Sequence, residues 1–228
     1  MKKKIILLII GLLMGTAVYA QTRIDGGLVE MFRRIIVGTS TNKVTIKQTG
    51  ITYAGTAKPR PSMYLNASSA WSSLTAGTSG DEKVETPTNK ITYYYTPFDG
   101  STNQSKEIII PMPYNWDLGT VTAVIYYIPE GTTGGTTIKW IVAAVSVADN
   151  ETPDQAFGTP ITITDTIQTA LRQHITPESA AITIGGTLAG GNVVHWRITR
   201  DAATDNNTAI TRFLGITIFY NINKENNN

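Results

Sequence analysis

Strict alternation of apolar and polar residues runs through the C-terminal two thirds of this chain, interrupted at short intervals by glycine and proline. In residues 120–128, Val121, Ala123, Ile125 and Tyr127 point one way. In residues 136–147, Ile138, Trp140, Val142 and Ala144 do the same, and Ile141, Ala143, Val145 and Val147 make the opposite side apolar too. Side chains alternate between the faces of a strand. The first pattern therefore predicts a half-buried strand, and the second a central strand covered on both faces. Pro129 to Gly135, between them, predicts a turn and a hairpin. The same reasoning predicts strands over 43–47, 51–53, 91–96, 106–110, 159–164, 181–184, 193–200 and 212–222. Residues 165–176 stay open. Ile167, Ala170, Leu171 and His174 fit one helical face with Asp165 as cap, and a strand fits the all-β setting. No repeated strand–helix rhythm occurs, which argues against a doubly wound enzyme. The fold class is all-β: an antiparallel β-sandwich, jelly-roll-like, with an N-terminal arm or appendage.

The N-terminus imposes a different constraint. Residues 1–20 read MKKKIILLIIGLLMGTAVYA. Three lysines, an apolar run and small residues ending at Ala20 are the layout of a cleaved secretory signal peptide. The apolar run is shorter than the roughly 20 residues that span a bilayer, so no transmembrane anchor is expected after cleavage. The expected location is secreted or extracellular. Of 19 basic and 17 acidic residues, three lysines lie in the leader, which leaves 16 against 17. A chain that is nearly neutral, without a concentrated basic stripe, gives no support to nucleic-acid binding. There are no cysteines, so export is not exploited for disulfides.

The expected organisation is a signal peptide over 1–20, an N-terminal arm or small β appendage over 21–55, and a long ordered loop or linker over 56–89. A sandwich domain follows over 90–222, and a disordered tail over 223–228. Leu28, Met31, Phe32, Ile35 and Ile36 have helical spacing and suit an assembly arm, with an ordinary strand as the equal alternative. Loop 56–89 carries Pro59, Pro61 and Pro87, with Tyr64, Leu65, Trp71 and Leu74 as anchors.

Chemistry is sparse. His174 and His195 belong to no ligand-spaced cluster, and no Gly-x-Ser-x-Gly elbow exists. Asp117 beside Trp116 suits either a sugar contact or a loop corner. Asp149 to Asp154 is rich in oxygen ligands for calcium but lacks the spacing of the twelve-residue loop, and a solvated turn fits it as well. No catalytic residue, metal or cofactor is expected, and the chain is read as non-enzymatic. The aromatic residues that suit a ligand or an interface are Trp71 and Trp116 in loops, with Tyr94 and Tyr126 on strands. Trp140 and Trp196 sit mid-strand and read as core.

Met112-Pro113-Tyr114-Asn115-Trp116-Asp117-Leu118-Gly119-Thr120-Val121 leads a series of segments. Ile138-Lys139-Trp140, Ile161 to Thr166, Arg197 to Ala202 and Leu214 to Tyr220 follow in order. This order resembles uncharacterised virion-associated β-sandwich proteins of tailed bacteriophages and prophages, over about residues 71–220. The resemblance implies a non-catalytic sandwich displayed on a particle. The leader and residues 21–55 have no counterpart there. The resulting expectation is an exported structural or assembly subunit of a filament, surface layer or virion-like particle, with copies of itself as partners. The alternative is a carbohydrate- or surface-binding module that uses loop aromatics on a glycan or cell-surface component.

Overall fold

The structure, a computed structural model, describes residues 24–25, 28–29, 34–47, 49–131 and 134–225. The expected signal peptide, Met31 and Phe32 of the expected arm, and residues 226–228 of the expected tail lie outside the described residues. The chain divides into two units.

The first unit takes the residues up to Pro61, with Pro113–Asp117 and the chain from Asn221. Here β1 (Ile24–Asp25) pairs antiparallel with β2 (Leu28–Val29). β3 (Arg34–Gly38), β4 (Lys43–Lys47) and β5 (Gly50–Ala54) form an antiparallel sheet of three strands. The chain end lies along β5: Tyr53 N–H donates to the Asn223 carbonyl at 2.8 Å, and Glu225 N–H to that of Ile51 at 3.1 Å. Leu28 thus sits in β2, and Ile35 and Ile36 in β3, opposite Ile46 and Thr45. Three successive β-branched residues, Ile35 to Val37, resist helix and favour the strand. Ile35 and Ile36 are therefore held in a sheet of their own unit. Residues 113–117 join this unit through Asp117 N–H to the Asn221 carbonyl at 3.0 Å and the Lys58–Asp117 ion pair at 2.7 Å.

The second unit covers Ser62–Met112 and Leu118–Tyr220. Its strands are β6 (Ser62–Asn66), β7 (Trp71–Ser72), β8 (Glu82–Glu85), β9 (Thr92–Phe98), β10 (Gln104–Pro111) and β11 (Thr122–Pro129). They continue with β12 (Thr137–Val147), β13 (Ile161–Thr166), β14 (His174–Ile175), β15 (Gly185–Gly186), β16 (Val193–Arg200) and β17 (Thr211–Phe219). One sheet runs β13-β12-β16-β10-β7, with β15 parallel to β12. The other runs β14-β11-β17-β9-β8. β6 also pairs with β17, along Gly215–Phe219, while β9 takes Thr211–Phe213. Two six-stranded sheets, antiparallel except where β15 lies beside β12, make the expected β-sandwich.

Two local expectations change. β11 and β12 do not form a hairpin: β11 pairs with β17, and β12 with β13 and β16. Their apolar faces are the two halves of one core, and the connection between them crosses from sheet to sheet. Residues 56–89 are not one long loop, since they contribute β6, β7 and β8. These are strands of two to five residues whose pairing comes from β17, β10 and β9, so local alternation barely marks them.

Inward-facing Phe98, Tyr127, Ile138, Trp140, Trp196 and Phe213 are buried. Trp140 has Phe98 edge-on at 5.2 Å and Phe213 tilted at 5.7 Å. Such aromatic packing adds about 0.5–1.5 kcal/mol per pair beyond area burial. Two charges are buried with partners, as burial demands. Arg200, fully buried, donates to the equally buried Asp205 at 3.0 Å, to the carbonyls of Phe98 at 3.2 Å and Ala209 at 2.7 Å, and to that of Asn207. It thereby ties the loop 201–210 to β16. Lys106, 1% exposed, donates to Thr96 Oγ1 at 2.9 Å, to the Ala67 carbonyl at 3.2 Å and to Asp81.

Candidate functional site

The outward face of the β11–β17 sheet carries aromatic residues that the core does not use. On β11 the inward set is Ala123, Ile125 and Tyr127, each 0% exposed, which leaves Thr122, Tyr126 and Ile128 on the other side. Across from them on β17 stand Arg212, opposite Ile128, and Thr217, opposite Val124. β6 adds Tyr64, opposite Thr217. Directly opposed residues in a sheet share a face. Tyr64 therefore shares the face of Thr217, and Tyr126, two residues along β11 from Val124 and opposite Gly215, lies on it as well.

These two rings form a pair. Their centroids lie 5.6 Å apart with planes at 81°. Tyr64 is 54% exposed, and Tyr126 is partly exposed. Both hydroxyls are fixed. Tyr64 Oη donates to the Leu214 carbonyl at 3.1 Å, and Tyr126 Oη accepts from Thr217 Oγ1 at 3.2 Å. Burial, and secondarily the charge of Tyr126, raises the Tyr64 hydroxyl above its ordinary value, so it remains a donor.

Gly215 makes this seating possible. A Cβ there would lie 2.5 Å from the Leu65 carbonyl oxygen and 2.6 Å from Tyr64 Oη. The β11 register shifts between Tyr126 and Tyr127, opposite this glycine. A lone glycine inside an apolar strand marks a bulge or a close approach. Here it marks both.

A second group lies on the same face, beside the N-terminal half of β17. Arg212 donates to Glu130 at 2.5 Å and to Tyr93 Oη at 2.9 Å, and its guanidinium covers the Tyr95 ring at 4.8 Å. Tyr95, 7% exposed, donates to Glu82 at 2.5 Å; burial first, then that bond, pushes its hydroxyl up to about 12. Tyr93 is the partly exposed ring of this group.

The other expected contacts lie elsewhere. Trp71 is 47% exposed on β7, an edge strand of the opposite sheet. Tyr94, 50% exposed, has Lys83 Nζ at 5.8 Å and alternates away from Tyr93 and Tyr95. Trp116, 2% exposed, belongs to the first unit and offers no open ring face, which corrects its placement as an exposed loop aromatic. Of the expected set, Tyr126 alone lies in the Tyr64 pair.

The remaining chemistry is structural. Glu151 of the acidic loop accepts from Thr187 Oγ1 at 2.6 Å and Ala148 N–H at 2.9 Å. Among the described residues no group of three or more His, Cys, Asp or Glu is placed to hold a metal. No helix among the described residues is long and apolar enough to cross a membrane.

No protein-family model and no curated protein matches this sequence. Among solved structures, it is similar to a family 35 carbohydrate-binding module from Clostridium thermocellum. That match has 13% identity, covers 68% of this chain and 97% of that one, and has a TM-score of 0.36. A family 11 module of the same organism, in complex with a β-1,3-1,4-mixed-linked tetrasaccharide, matches at 13% identity, 72% and 94% coverage and TM-score 0.34. TmCBM61, in complex with β-1,4-galactotriose, matches at 11% identity, 71% and 88% coverage and TM-score 0.31. These findings correct the expected virion resemblance: the matched modules are carbohydrate-binding, not phage structural proteins. The expected role as a subunit of a filament, surface layer or virion-like particle is corrected with it. At such identities the likeness concerns the fold alone.

Proposed function

We propose that this chain is an exported, non-catalytic glycan-binding module whose ligand lies on the outward face of the β11–β17 sheet. One observation carries this reading. The exposed Tyr64–Tyr126 pair is fixed at both hydroxyls and seated over a strand glycine that leaves it room. A sugar ring offers an apolar C–H face bordered by hydroxyls, and tyrosine offers an apolar ring with a polar tip. The Arg212–Glu130 pair farther along β17 supplies polar groups that orient such a ligand. Export rests on the leader of residues 1–20.

The test is calorimetric titration of the mature chain with soluble xylo-, cello-, β-galacto- and mixed-linked glucan oligosaccharides. At least one is expected to bind. Tyr64→Ala and Tyr126→Ala should each weaken it by about 5–30-fold, the loss of about 1–2 kcal/mol from one stacked ring. Binding that survives both substitutions, or no binding across the panel, sinks the reading.

A further inference from the structure

Beside the tyrosine pair, the chain between β13 and β14 curls around a polar depression of about 250 Å³. We infer that this depression is a subsite for a single neutral sugar ring, the terminal unit of a glycan whose inner rings lie on Tyr126 and Tyr64. The inference rests on the reading above and extends it to a second, chemically different position.

Continuity comes from Ile175. It lines the depression, is 56% exposed, and stands opposite Tyr126 in the β11–β14 register. It therefore shares the face of Tyr126. A ligand leaving the tyrosine pair along this edge meets the depression next.

The floor is fixed. Asp165 accepts from Tyr127 Oη at 2.8 Å and from Thr166 N–H at 2.9 Å. His174 stacks on the Tyr127 ring at 5.3 Å, with its Nε2 3.1 Å from the Thr169 carbonyl. Burial, then the bond to Asp165, raises the Tyr127 hydroxyl far above its ordinary value and keeps it a donor.

The rim is unspent. Gln168, Arg172 and Gln173 all line the depression. None makes a side-chain hydrogen bond or ion pair with another described residue. Planar amides donate and accept, and a guanidinium donates in a fork. That mixture matches neighbouring sugar hydroxyls, which do both. Asp165 and Arg172 balance each other in charge, so the match is to a neutral sugar rather than an acidic one.

The backbone that presents this rim is held firmly. Ile167 N–H donates to the Thr136 carbonyl at 2.7 Å, Gly135 N–H to that of Ile167 at 2.9 Å, and Leu171 N–H to that of Pro129 at 2.8 Å. Leu171 has φ +56° and is 63% exposed. A leucine in the left-handed region is unfavourable and persists where its surroundings over-determine it, as at ligand clamps. This strain places Arg172 and Gln173 beside the floor, a pre-organised arrangement.

The experiment is NMR titration of the 15N-labelled mature chain with glucose, galactose, mannose and xylose separately, then with xylohexaose and cellohexaose. One monosaccharide should shift the Gln168 and Gln173 side-chain amides and the Arg172 Nε–H. Arg172→Ala and Gln173→Ala should each weaken that response by about 5-fold, the worth of one ordinary hydrogen bond. The backbone amides of Tyr126 and Thr217 report the tyrosine pair. If the hexaoses move only these two, the subsite is overturned and the pair stands. If monosaccharides move only the rim and the hexaoses leave Tyr126 and Thr217 unmoved, the depression is a sugar site and the tyrosine reading falls. No shift at the rim with any of the six sugars overturns the subsite.

Discussion

Gly215→Ala links the stability of this fold to its candidate ligand face in a single methyl group. The added Cβ would lie 2.5 Å from the Leu65 carbonyl oxygen and within 2.6 Å of Tyr64 Oη. The carbonyl cannot swing away, because Leu65 is paired in register with Ile216. β6 must therefore shift against β17 at Leu65, and Tyr64 must give up its seat and its bond to Leu214. Forcing a methyl into a packed site costs about 1–3 kcal/mol. Replacing glycine returns about 0.4–1 kcal/mol by restricting the unfolded chain. The net expectation is a loss of about 1–2 kcal/mol, or about 2–8 °C in Tm for a domain of this size. Calorimetric melting reads the stability, and titration with the oligosaccharide bound by the wild type reads the face. Both should suffer. Adding Tyr64→Ala to Gly215→Ala should recover part of the lost stability, since the phenol is one of the two obstacles. A Gly215→Ala chain that melts with the wild type and binds as tightly refutes the reasoning.

Asp205→Ala leaves the Arg200 charge buried without its carboxylate and should cost about 3–5 kcal/mol in urea denaturation. A loss of under about 1 kcal/mol would mean that the pair behaves as a surface bridge. Tyr95 predicts an alkaline slope. Its hydroxyl moves from 10.0 to about 12 on folding, so the neutral form contributes stability that is complete below pH 10 and lost as pH rises through 12. Urea midpoints of the wild type should therefore fall from about pH 9 to about pH 11 more than those of Tyr95→Phe. Equal falls would show that the Tyr95 proton is not linked to folding.

The long central strands were legible because burial acts on them through the pleat. The alternation in 120–128, 136–147, 193–200 and 212–222 reappears as β11, β12, β16 and β17, and Trp140 and Trp196 are the expected core residues. Pairing was less legible, because one apolar face can meet a neighbour beside it or a sheet across from it. β11 and β12 do the second. The strands within 56–89 were hidden for another reason: β7 has two residues and β8 four, too few to show a period. The candidate face was half visible. Tyr126 was one of four expected contacts, behind the loop residues Trp71 and Trp116, while Tyr64 lay in a proline- and serine-rich stretch that reads as loop. The polar rim at 168–173 shows no pattern in the sequence, since its meaning comes from a backbone turned at Leu171 and pinned by Pro129.

β17 comes after every other strand of its sheet in chain order and is the hub of that sheet, pairing with β11, β9 and β6. The bond from Tyr64 to Leu214 closes a loop of 150 residues. That sheet cannot zip up progressively from the N-terminus, because its hub is the final strand to be delivered. A chain emerging from a ribosome or a channel would hold β6, β9 and β11 as waiting partners until residues 211–219 arrive. Topologies dominated by such distant pairings fold slowly and all at once. Truncation before residue 211 would remove more than an edge, because the remaining strands would have no common neighbour to close upon.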